Sequence, residues 1–357
     1  MRPSAMRPLL EPLGLLHGPD ARDAVRAGVA LPLLGGAGAF TLVRSLDPPG
    51  PVLPAGAAPG VWGDALARFG APAPVWAGLP PGPAVMGILN ATPDSFSDGG
   101  DRLDPARAVA AGRAMLAGGA AMLDIGGEST RPGAATVSPE EERARVVPVL
   151  RGLTEAGAAS GASSGVPLSV DTRNAATMAA ALDAGATVVN DVSALAHDPD
   201  AAALVARRGC PVVLMHMRGT PATMRRYATY ADVALEVTRE LETRVAAAEA
   251  AGIARERIAI DPGFGFAKTA EQNAELLRRL PVLLNLGLRV LVGVSRKAFI
   301  GALSGEPVAR RRGPGSLAAG VLAASRGGTV LRAHDVCALS QGLKVWQGIM
   351  GWSKSGP

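Results

Sequence analysis

The feature that most constrains the fold is a regular alternation of short apolar runs and longer helical segments from about residue 84 onward. The runs are continuously apolar rather than alternating, as in strands that are buried on both faces of a parallel sheet. They cover Val85–Leu89, Ala121–Ile125, Pro167–Val170, Thr187–Val189, Pro211–Met215, Arg257–Ile260, Arg289–Val294 and Thr329–Leu331. Helices are predicted over Pro105–Ala117, Pro139–Ala158, Ala175–Ala184, Pro199–Arg208, Ala231–Ala251, Ala270–Leu280, Gly315–Ser325 and Ala338–Met350. Evenly spaced strand–helix units predict a (β/α)₈ barrel of the α/β class, and an open doubly wound sheet is the alternative.

Several predicted helices begin with recognisable capping residues. Asp104 and Asp198 each precede a proline, which places an acidic N-cap before proline at the first helical position. Ser138 is followed by a proline and then by Glu140 and Glu141, the pattern of a capping box. These signals support the helix boundaries that the periodicity suggests.

Residues 1–80 differ from the rest of the chain, being rich in proline, glycine and alanine. The Gly35–Gly38 turn lies between apolar runs and suggests a hairpin, and residues 48–51 read as a loop or linker. We therefore predict an accessory N-terminal extension over 1–80, of open role, and a catalytic domain over 81–357.

The charge and composition exclude several classes of protein. The chain has a net charge of +5 but only 3% aromatic residues, too few stacking side chains for a nucleic-acid reader. A mild positive charge favours an anionic small molecule as ligand. The two cysteines have no CxxC or zinc-ligand spacing, which favours thiols in a reducing compartment. Proline and glycine interrupt the apolar stretch 27–43, so no membrane span is expected and a cytoplasmic location is predicted.

Polar residues follow every predicted strand, where the carboxyl ends of barrel strands form active sites. The strand ends carry Asn90, Asp124, Asp171, Asn190, Asp191, His216, Asp261, Ser295, Arg296, Lys297, Arg332, His334 and Asp335. Packing of a core alone does not explain a complete ring of such residues. We therefore expect them to surround one ligand.

The types of these side chains indicate what that ligand is. The cationic candidates for holding an anion are Arg131, Arg296, Lys297, Arg332 and His334. Asp171, Asn190 and Asp261 are acceptors that suit a ring with amino and N–H donors. Apolar faces for a ring come from Phe96, Phe264 and Phe266. The set predicts a nitrogen heterocycle joined to a phosphate or diphosphate, with Asn90 as an oxygen ligand of Mg²⁺.

Five segments carry a resemblance to a known family. Residues 86–100 read MGILNATPDSFSDGG and residues 124–133 read DIGGESTRPG, which resemble the two long signatures of dihydropteroate synthases. Residues 261–268 (DPGFGFAK), 295–297 (SRK) and 332–336 (RAHDV) resemble the later ones. The resemblance covers about residues 84–350 and leaves out residues 1–80.

The resemblance implies a reaction and a set of site residues. The family joins 4-aminobenzoate to 6-hydroxymethyl-7,8-dihydropterin diphosphate, which gives 7,8-dihydropteroate and diphosphate. By motif, the pterin is bound by Thr130, Asp171, Asn190, Asp261 and Lys297. The diphosphate is bound by Arg332 and His334 with Arg131 nearby, so that Arg131, Lys297, Arg332 and His334 are the implied catalytic set. Asn90 ligates Mg²⁺.

The resemblance also implies an aminobenzoate pocket formed by Phe96, Pro132, Phe266 and Ala298. Ala298 is a departure, since the family commonly has serine there. Sulfonamides are expected to compete with aminobenzoate, and a homodimer is expected because the family commonly forms one.

Other interpretations compete with this one. A methyltetrahydrofolate-binding barrel of the corrinoid methyltransferase kind shares the pterin site but has no need of the diphosphate-holding cations. A non-catalytic pterin-binding module is the second rival. A triad of Ser129, His216 and Asp261 lacks the GxSxG elbow that supports such chemistry. His216, Asp191, Asp335 and Glu128 are as well explained by structural roles, and Met215 by core filling.

Overall fold

The computed structural model describes residues 8–92, 104–128, 137–159 and 165–351. Its strands are β1 (Leu9–His17), β2 (Leu31–Leu33), β3 (Gly38–Asp47), β4 (Leu53–Pro54), β5 (Ala84–Asn90), β6 (Met122–Gly126), β7 (Leu168–Asp171), β8 (Val188–Asp191), β9 (Val212–Met215), β10 (Ile258–Asp261), β11 (Arg289–Val292) and β12 (Val330–Ala333). Strands β5 to β12 are parallel to their neighbours and close into a barrel in chain order. The predicted (β/α)₈ barrel is confirmed, and the open sheet is wrong.

Helices connect the barrel strands, close to the predicted bounds. The helices are α1 (Gly18–Arg26), α2 (Gly63–Gly70), α3 (Pro105–Ala117), α4 (Pro139–Ala159), α5 (Ala175–Asp183), α6 (Ala201–Arg208), α7 (Val233–Ala250), α8 (Ala270–Arg278), α9 (Ala298–Ser304), α10 (Gly313–Ser325) and α11 (Val336–Ile349). The Asp104 side chain accepts a hydrogen bond from Ala106 N at 2.9 Å, which confirms the N-cap of α3. Helix α9 was not predicted, because its short sequence follows the strand without a capping signal.

The N-terminal region forms a small antiparallel sheet on the outside of the barrel. Its strand order is β1-β3-β2, with β4 paired to β3, and the turn between β2 and β3 is the predicted hairpin. Arg279, at the end of α8, donates to Glu11 Oε1 over 2.6 Å, and both side chains are buried. Asn285 closes a pair of hydrogen bonds with the backbone of Leu10, at 3.0 and 2.7 Å. Apolar side chains of the sheet, including Phe40, belong to the same hydrophobic cluster as the barrel.

Residues 74–82, the closing segment, cover the amino-terminal end of the barrel. Trp76 and Leu79 pack with side chains of the barrel interior such as Met86 and Leu291. The Trp76 indole N–H donates to the Arg257 carbonyl at 2.9 Å, just before β10. The closing segment therefore seals the end of the barrel opposite to the strand termini that carry the polar residues.

Arg289 ties the closing segment to the barrel. It is fully buried at the start of β11. Its guanidinium donates to carbonyl oxygens of the closing segment at 2.7 Å (Pro74), 2.9 Å (Leu79) and 3.0 Å (Gly82), and also to Pro80. Burial lowers the pKa of Arg289 to about 10. A buried cation is tolerated here because carbonyl oxygens take over the role of water.

The predicted boundary between the N-terminal extension (1–80) and the catalytic domain (81–357) falls inside this closing segment. This division of the chain stays a prediction. Within the described residues, no helix is long and apolar enough to cross a membrane.

We expect Arg289→Met to lower the free energy of unfolding by about 3–5 kcal/mol, because the substitution leaves buried carbonyl oxygens without donors. Urea unfolding followed by circular dichroism measures this change. The matched control is Arg310→Met at an exposed position, which we expect to stay within about 0.5 kcal/mol of the parent. A loss below about 1 kcal/mol for Arg289→Met contradicts the role given to this side chain.

Two shortened chains test the domain boundary. A chain that begins at residue 83 lacks the closing segment, and we expect it to be insoluble or to unfold without a cooperative transition. A chain that begins at residue 72 keeps the closing segment. It loses Glu11, but Arg279 still has Asp232 and Glu275 as ion-pair partners. We expect this longer chain to unfold cooperatively in differential scanning fluorimetry. Equal melting temperatures for the two chains would show that the closing segment is dispensable.

Candidate functional site

A pocket lies at the carboxyl end of the barrel strands and contains most of the described residues that the sequence predicts for ligand binding. We call it the barrel pocket, and its lining consists of Asp171, Asn190, Val192, Met215, Asp261, Phe264, Phe266, Gly293, Lys297 and Arg332. This mixture of apolar and polar lining suits a small organic ligand.

The register of the parallel strands explains why distant residues meet there. Asn90 pairs with Gly126, Gly126 with Asp171, and Asp171 with Asn190, so these positions form one row across β5 to β8. Asp261 pairs with Met215 in the same way on β10 and β9. Because the strands all run in one direction, their last residues gather at one rim.

The deepest part of the site is a cluster of acids around one arginine. Arg332 Nε donates to Asp124 Oδ2 over 2.6 Å, and its Nη2 donates to Asp171 Oδ2 over 2.8 Å. Asn190 Nδ2 donates to the same Asp124 oxygen over 2.9 Å. Asp124 is fully buried, and the side chain of Arg332 keeps 19% exposure. In this arrangement Arg332 forms part of the pocket wall and is held by two carboxylates.

Burial changes the protonation of the acids in the pocket. Desolvation raises the pKa of Asp171, and the nearby Arg332 guanidinium opposes that rise. Desolvation also raises the pKa of Asp261, although the Gly263 N–H donates to its Oδ1 over 2.7 Å. Two buried carboxyl groups with raised pKa values in one cleft mark this cleft as a candidate functional site.

The loop after β10 brings an aromatic ring and a lysine together. Gly263 and Gly265 have φ values of +69° and +81°. At Gly265, a Cβ atom would lie 3.0 Å from the Lys297 side chain, so glycine lets the lysine pass. Lys297 Nζ lies 4.2 Å from the centre of the Phe266 ring, a cation–π contact. The predicted pocket residues Phe266 and Lys297 are thus neighbours.

A buried lysine beneath this loop holds its backbone. Lys268 Nζ donates to the carbonyl oxygens of Gly263 and Phe266 and to His216 Nδ1, each at 3.1 Å. Burial lowers the pKa of Lys268 to about 7 and the pKa of His216 to about 4. His216 Nε2 lies 2.9 Å from Glu240 Oε2. A carboxylate only accepts, so Nε2 carries the hydrogen and His216 is a neutral, satisfied core histidine, the structural role left open in the sequence.

Among the predicted anion-binding residues that the structure describes, Lys297 and Arg332 line the barrel pocket, whereas Arg296 and His334 do not. Ser295 Oγ lies 3.0 Å from His334 Nδ1 and accepts from the His334 backbone N–H, so β11 and β12 hold this histidine together. Arg296 has a φ of +59° and donates to Asp335 Oδ1 over 2.7 Å. The guanidinium of Arg296 is therefore engaged in an ion pair beside the site. His334 itself does not line the barrel pocket.

Other predicted residues lie at the margin or outside the described residues. Asn90 ends β5 and is partly exposed, and Ala298 begins α9 and is exposed. Phe96, Thr130, Arg131 and Pro132 lie outside the described residues. In the parts of the chain that the structure describes, no three His, Cys, Asp or Glu side chains form a metal-binding group.

Asp191 and Glu128, whose roles the sequence leaves open, also have structural contacts. Asp191 accepts from the backbone N–H groups of Ser193 and Leu195 and thereby fixes the turn after β8. Glu128 pairs with Arg173 at 3.2 Å and joins the loops after β6 and β7. These contacts support the structural explanations of both acids.

Sequence reasoning missed two features of the site. The sequence places Asp124 at a strand end but does not predict its contacts with Asn190 and Arg332. The signal was present, since Asp124 is a charged residue inside a continuous apolar run. Lys268 binds two carbonyl oxygens of its own loop, at Gly263 and Phe266, and its third partner, His216, follows a different strand. The sequence offers no comparable signal for this set of contacts.

Comparison with known proteins gives a consistent result. A family model described as "Pterin binding enzyme" matches residues 86–334. Dihydropteroate synthase from Neisseria meningitidis serogroup C is 49% identical over 271 residues, which are 75% of this chain and 93% of that protein.

Two solved structures of Xanthomonas albilineans dihydropteroate synthase are also similar. The structure with 4-aminobenzoic acid has a TM-score of 0.69 and 48% identity, and the match covers 76% of this chain and 94% of that one. The complex with 7,8-dihydropteroate has a TM-score of 0.68 and 46% identity, with 76% and 95% covered. The resemblance seen in the five sequence segments is confirmed: this chain belongs to the pterin-binding enzyme family, among the dihydropteroate synthases.

Proposed function

We propose that this chain condenses 6-hydroxymethyl-7,8-dihydropterin diphosphate with 4-aminobenzoate to give 7,8-dihydropteroate and diphosphate. The observation that carries the proposal is the barrel pocket, in which three acceptor side chains lie beside a lysine and an arginine. The similar Xanthomonas albilineans enzyme, solved with 4-aminobenzoic acid and with 7,8-dihydropteroate, supports both the second substrate and the product. The reaction is the transfer of an alkyl (pterinylmethyl) group.

The acceptors suit the pterin ring. Asp171, Asn190 and Asp261 stand on the ends of three barrel strands, which hold them rigidly. A pterin carries an amino group and ring N–H groups along one edge, and each of these donors needs an acceptor once water is removed. Met215 and Val192 supply apolar lining for the faces of the ring. The deep part of the pocket therefore binds the heterocycle. Thr130, which is not among the described residues, is proposed to bind the heterocycle as well.

The cations suit the leaving group. In the reaction, the bond between the pterin methylene carbon and the diphosphate oxygen breaks, and its electron pair leaves with the diphosphate. The amine nitrogen of 4-aminobenzoate then bonds to the methylene carbon and releases a proton. Lys297, Arg332 and His334, with Arg131, are proposed to stabilise the negative charge that develops on the diphosphate. No protein nucleophile is required.

The aromatic side of the pocket suits 4-aminobenzoate. Phe266 lies against Lys297, and Ala298 follows that lysine at the exposed start of α9. We propose that these residues, with Phe96 and Pro132, contact the aminobenzoate ring. Alanine in place of the serine expected at 298 removes one hydroxyl from this side. Sulfonamide competition stays a prediction from the resemblance.

Magnesium is proposed to assist through Asn90. Mg²⁺ prefers oxygen ligands and keeps several waters, so one or two protein ligands together with substrate phosphate oxygens suffice. A single partly exposed amide at the end of β5 fits this need. When bound, Mg²⁺ neutralises charge on the diphosphate. Homodimer formation and a cytoplasmic location stay predictions.

The cations also distinguish the rival functions. A methyltetrahydrofolate-binding barrel has no diphosphate to hold, yet here Lys297 lies in the pocket wall and Ser295 holds His334 next to it. A non-catalytic binding module has no need of a leaving-group site either. The positions of Lys297 and His334 therefore favour the synthase over both rivals.

Purified protein with dihydropterin diphosphate, labelled 4-aminobenzoate and Mg²⁺ is expected to form labelled dihydropteroate and diphosphate. Chelation of Mg²⁺ by EDTA is expected to lower the rate at least tenfold, and added Mg²⁺ to restore it. Chromatographic separation of the labelled product measures the reaction. Absence of labelled product with Mg²⁺ present would refute the synthase proposal.

We expect Lys297→Ala to lower turnover by about 100-fold or more, because one cation is lost from the charge that develops on the diphosphate. The melting temperature should change little, since Lys297 lies at the pocket wall and not in the core. Steady-state kinetics with a melting curve checks both. The matched control, Lys344→Ala on the exposed face of α11, should keep parental turnover. Parental turnover in Lys297→Ala instead would remove this residue from the mechanism.

A further inference from the structure

The Asp124 carboxylate touches the barrel pocket only through other side chains. It lies on β6, is fully buried and does not line the pocket. Its Oδ2 accepts from Asn190 Nδ2 at 2.9 Å and from Arg332 Nε at 2.6 Å, and both partners do line the pocket. Asp124 therefore stands directly behind two residues proposed to contact substrate.

The contact with Asp124 decides which way the Asn190 amide faces. An ionised carboxylate has no hydrogen to donate, so the amide turns its NH₂ group toward Asp124. The oxygen and the nitrogen of a primary amide lie on opposite sides of the group. The Asn190 oxygen is consequently left for the pocket, where it is a fixed acceptor.

The same carboxylate fixes the Arg332 guanidinium. With Nε on Asp124 and Nη2 on Asp171 Oδ2 at 2.8 Å, the planar fork cannot turn without breaking a charge-assisted hydrogen bond. The remaining Asp171 oxygen stays available to a ligand. Arg332 thereby orders a second acceptor of the pocket.

Asp124 is not fully satisfied by these contacts. Its Oδ1 is buried and has no hydrogen-bond partner among the described residues. A buried carboxylate with one oxygen unpaired is costly to the fold. A role in the site, and not stability alone, explains why a carboxylate stands at this position.

We propose that Asp124 is a positioning residue that sets the hydrogen-bond pattern of the barrel pocket, so that Asn190 presents its oxygen to the pterin edge. This inference rests on the proposed function, since it takes a pterin as the ligand. It predicts that a ring with a carbonyl in place of the pterin amino group is rejected, because two acceptors would then face each other.

The test compares two free ring compounds by isothermal titration calorimetry. 6-Hydroxymethylpterin carries the amino group, and 6-hydroxymethyllumazine carries a carbonyl at the same ring position. We expect the parent to bind the pterin at least 100-fold more tightly than the lumazine. In Asp124→Asn, a similar shape without the charge lets the Asn190 amide turn over. The ratio should fall at least tenfold, mainly through tighter binding of the lumazine.

A matched control comes from another buried acid at the end of a barrel strand. Asp191 is equally buried, follows Asn190 directly and accepts hydrogen bonds from the turn after β8. We expect Asp191→Asn to keep the parental ratio. Melting curves of all variants verify that each is folded before titration.

The outcomes separate the inference from the proposed function. If the parent binds neither ring, the proposed function fails. If the parent prefers the pterin but Asp124→Asn keeps that preference, or weakens both rings equally, the inference is overturned. Should Asp124→Asn not fold, Asn190→Ala gives the answer. Loss of the fixed acceptor must lower the ratio at least tenfold, and an unchanged ratio overturns the inference.

Discussion

Burial of charge at the rim of a closed barrel is the constraint on which the site depends. Asp124 and Asp171 lie close together with little access to water, and the Arg332 guanidinium between them, with the Asn190 amide on Asp124, makes this arrangement tolerable. Arg332 comes from the last barrel strand, whereas the acids come from the second and third. The ion pairs can therefore form only when the barrel is closed, so the closure of the fold and the assembly of the site depend on each other.

Acceptors and cations have separate places around this cluster. Asn190 and Asp261 extend the acceptor side toward β8 and β10, while Lys297 and His334 extend the cationic side toward β11 and β12. A substrate with a donor-rich ring at one end and a diphosphate at the other matches this division. In the proposed function, the acceptors bind the ring, the cations bind the diphosphate, and the reacting carbon lies between them.

Much of this architecture could be predicted from the sequence because barrel strands leave a local signal. Continuous apolar runs are interrupted by polar residues at their ends, and the parallel register then brings residues such as Asp171 and Lys297 together. Contacts between distant loops leave no such signal. Lys268 beneath the loop after β10, and Arg289 with its carbonyl partners, depend on neighbours that are identified only when the chain is folded. Asp124 is intermediate, since its charge within an apolar run was visible but its partners were not.

The closing segment has a consequence for the synthesis of the chain. Arg289 is separated from the carbonyl of Pro74 by 215 residues, and Trp76 from the Arg257 carbonyl by 181. The segment leaves the ribosome early, but the residues that hold it are made much later. Until β11 emerges, the apolar side chains of Trp76 and Leu79 have no complete barrel to enter. The nascent chain therefore carries an exposed apolar segment until β11 has been made. Chaperone binding would matter most during that period.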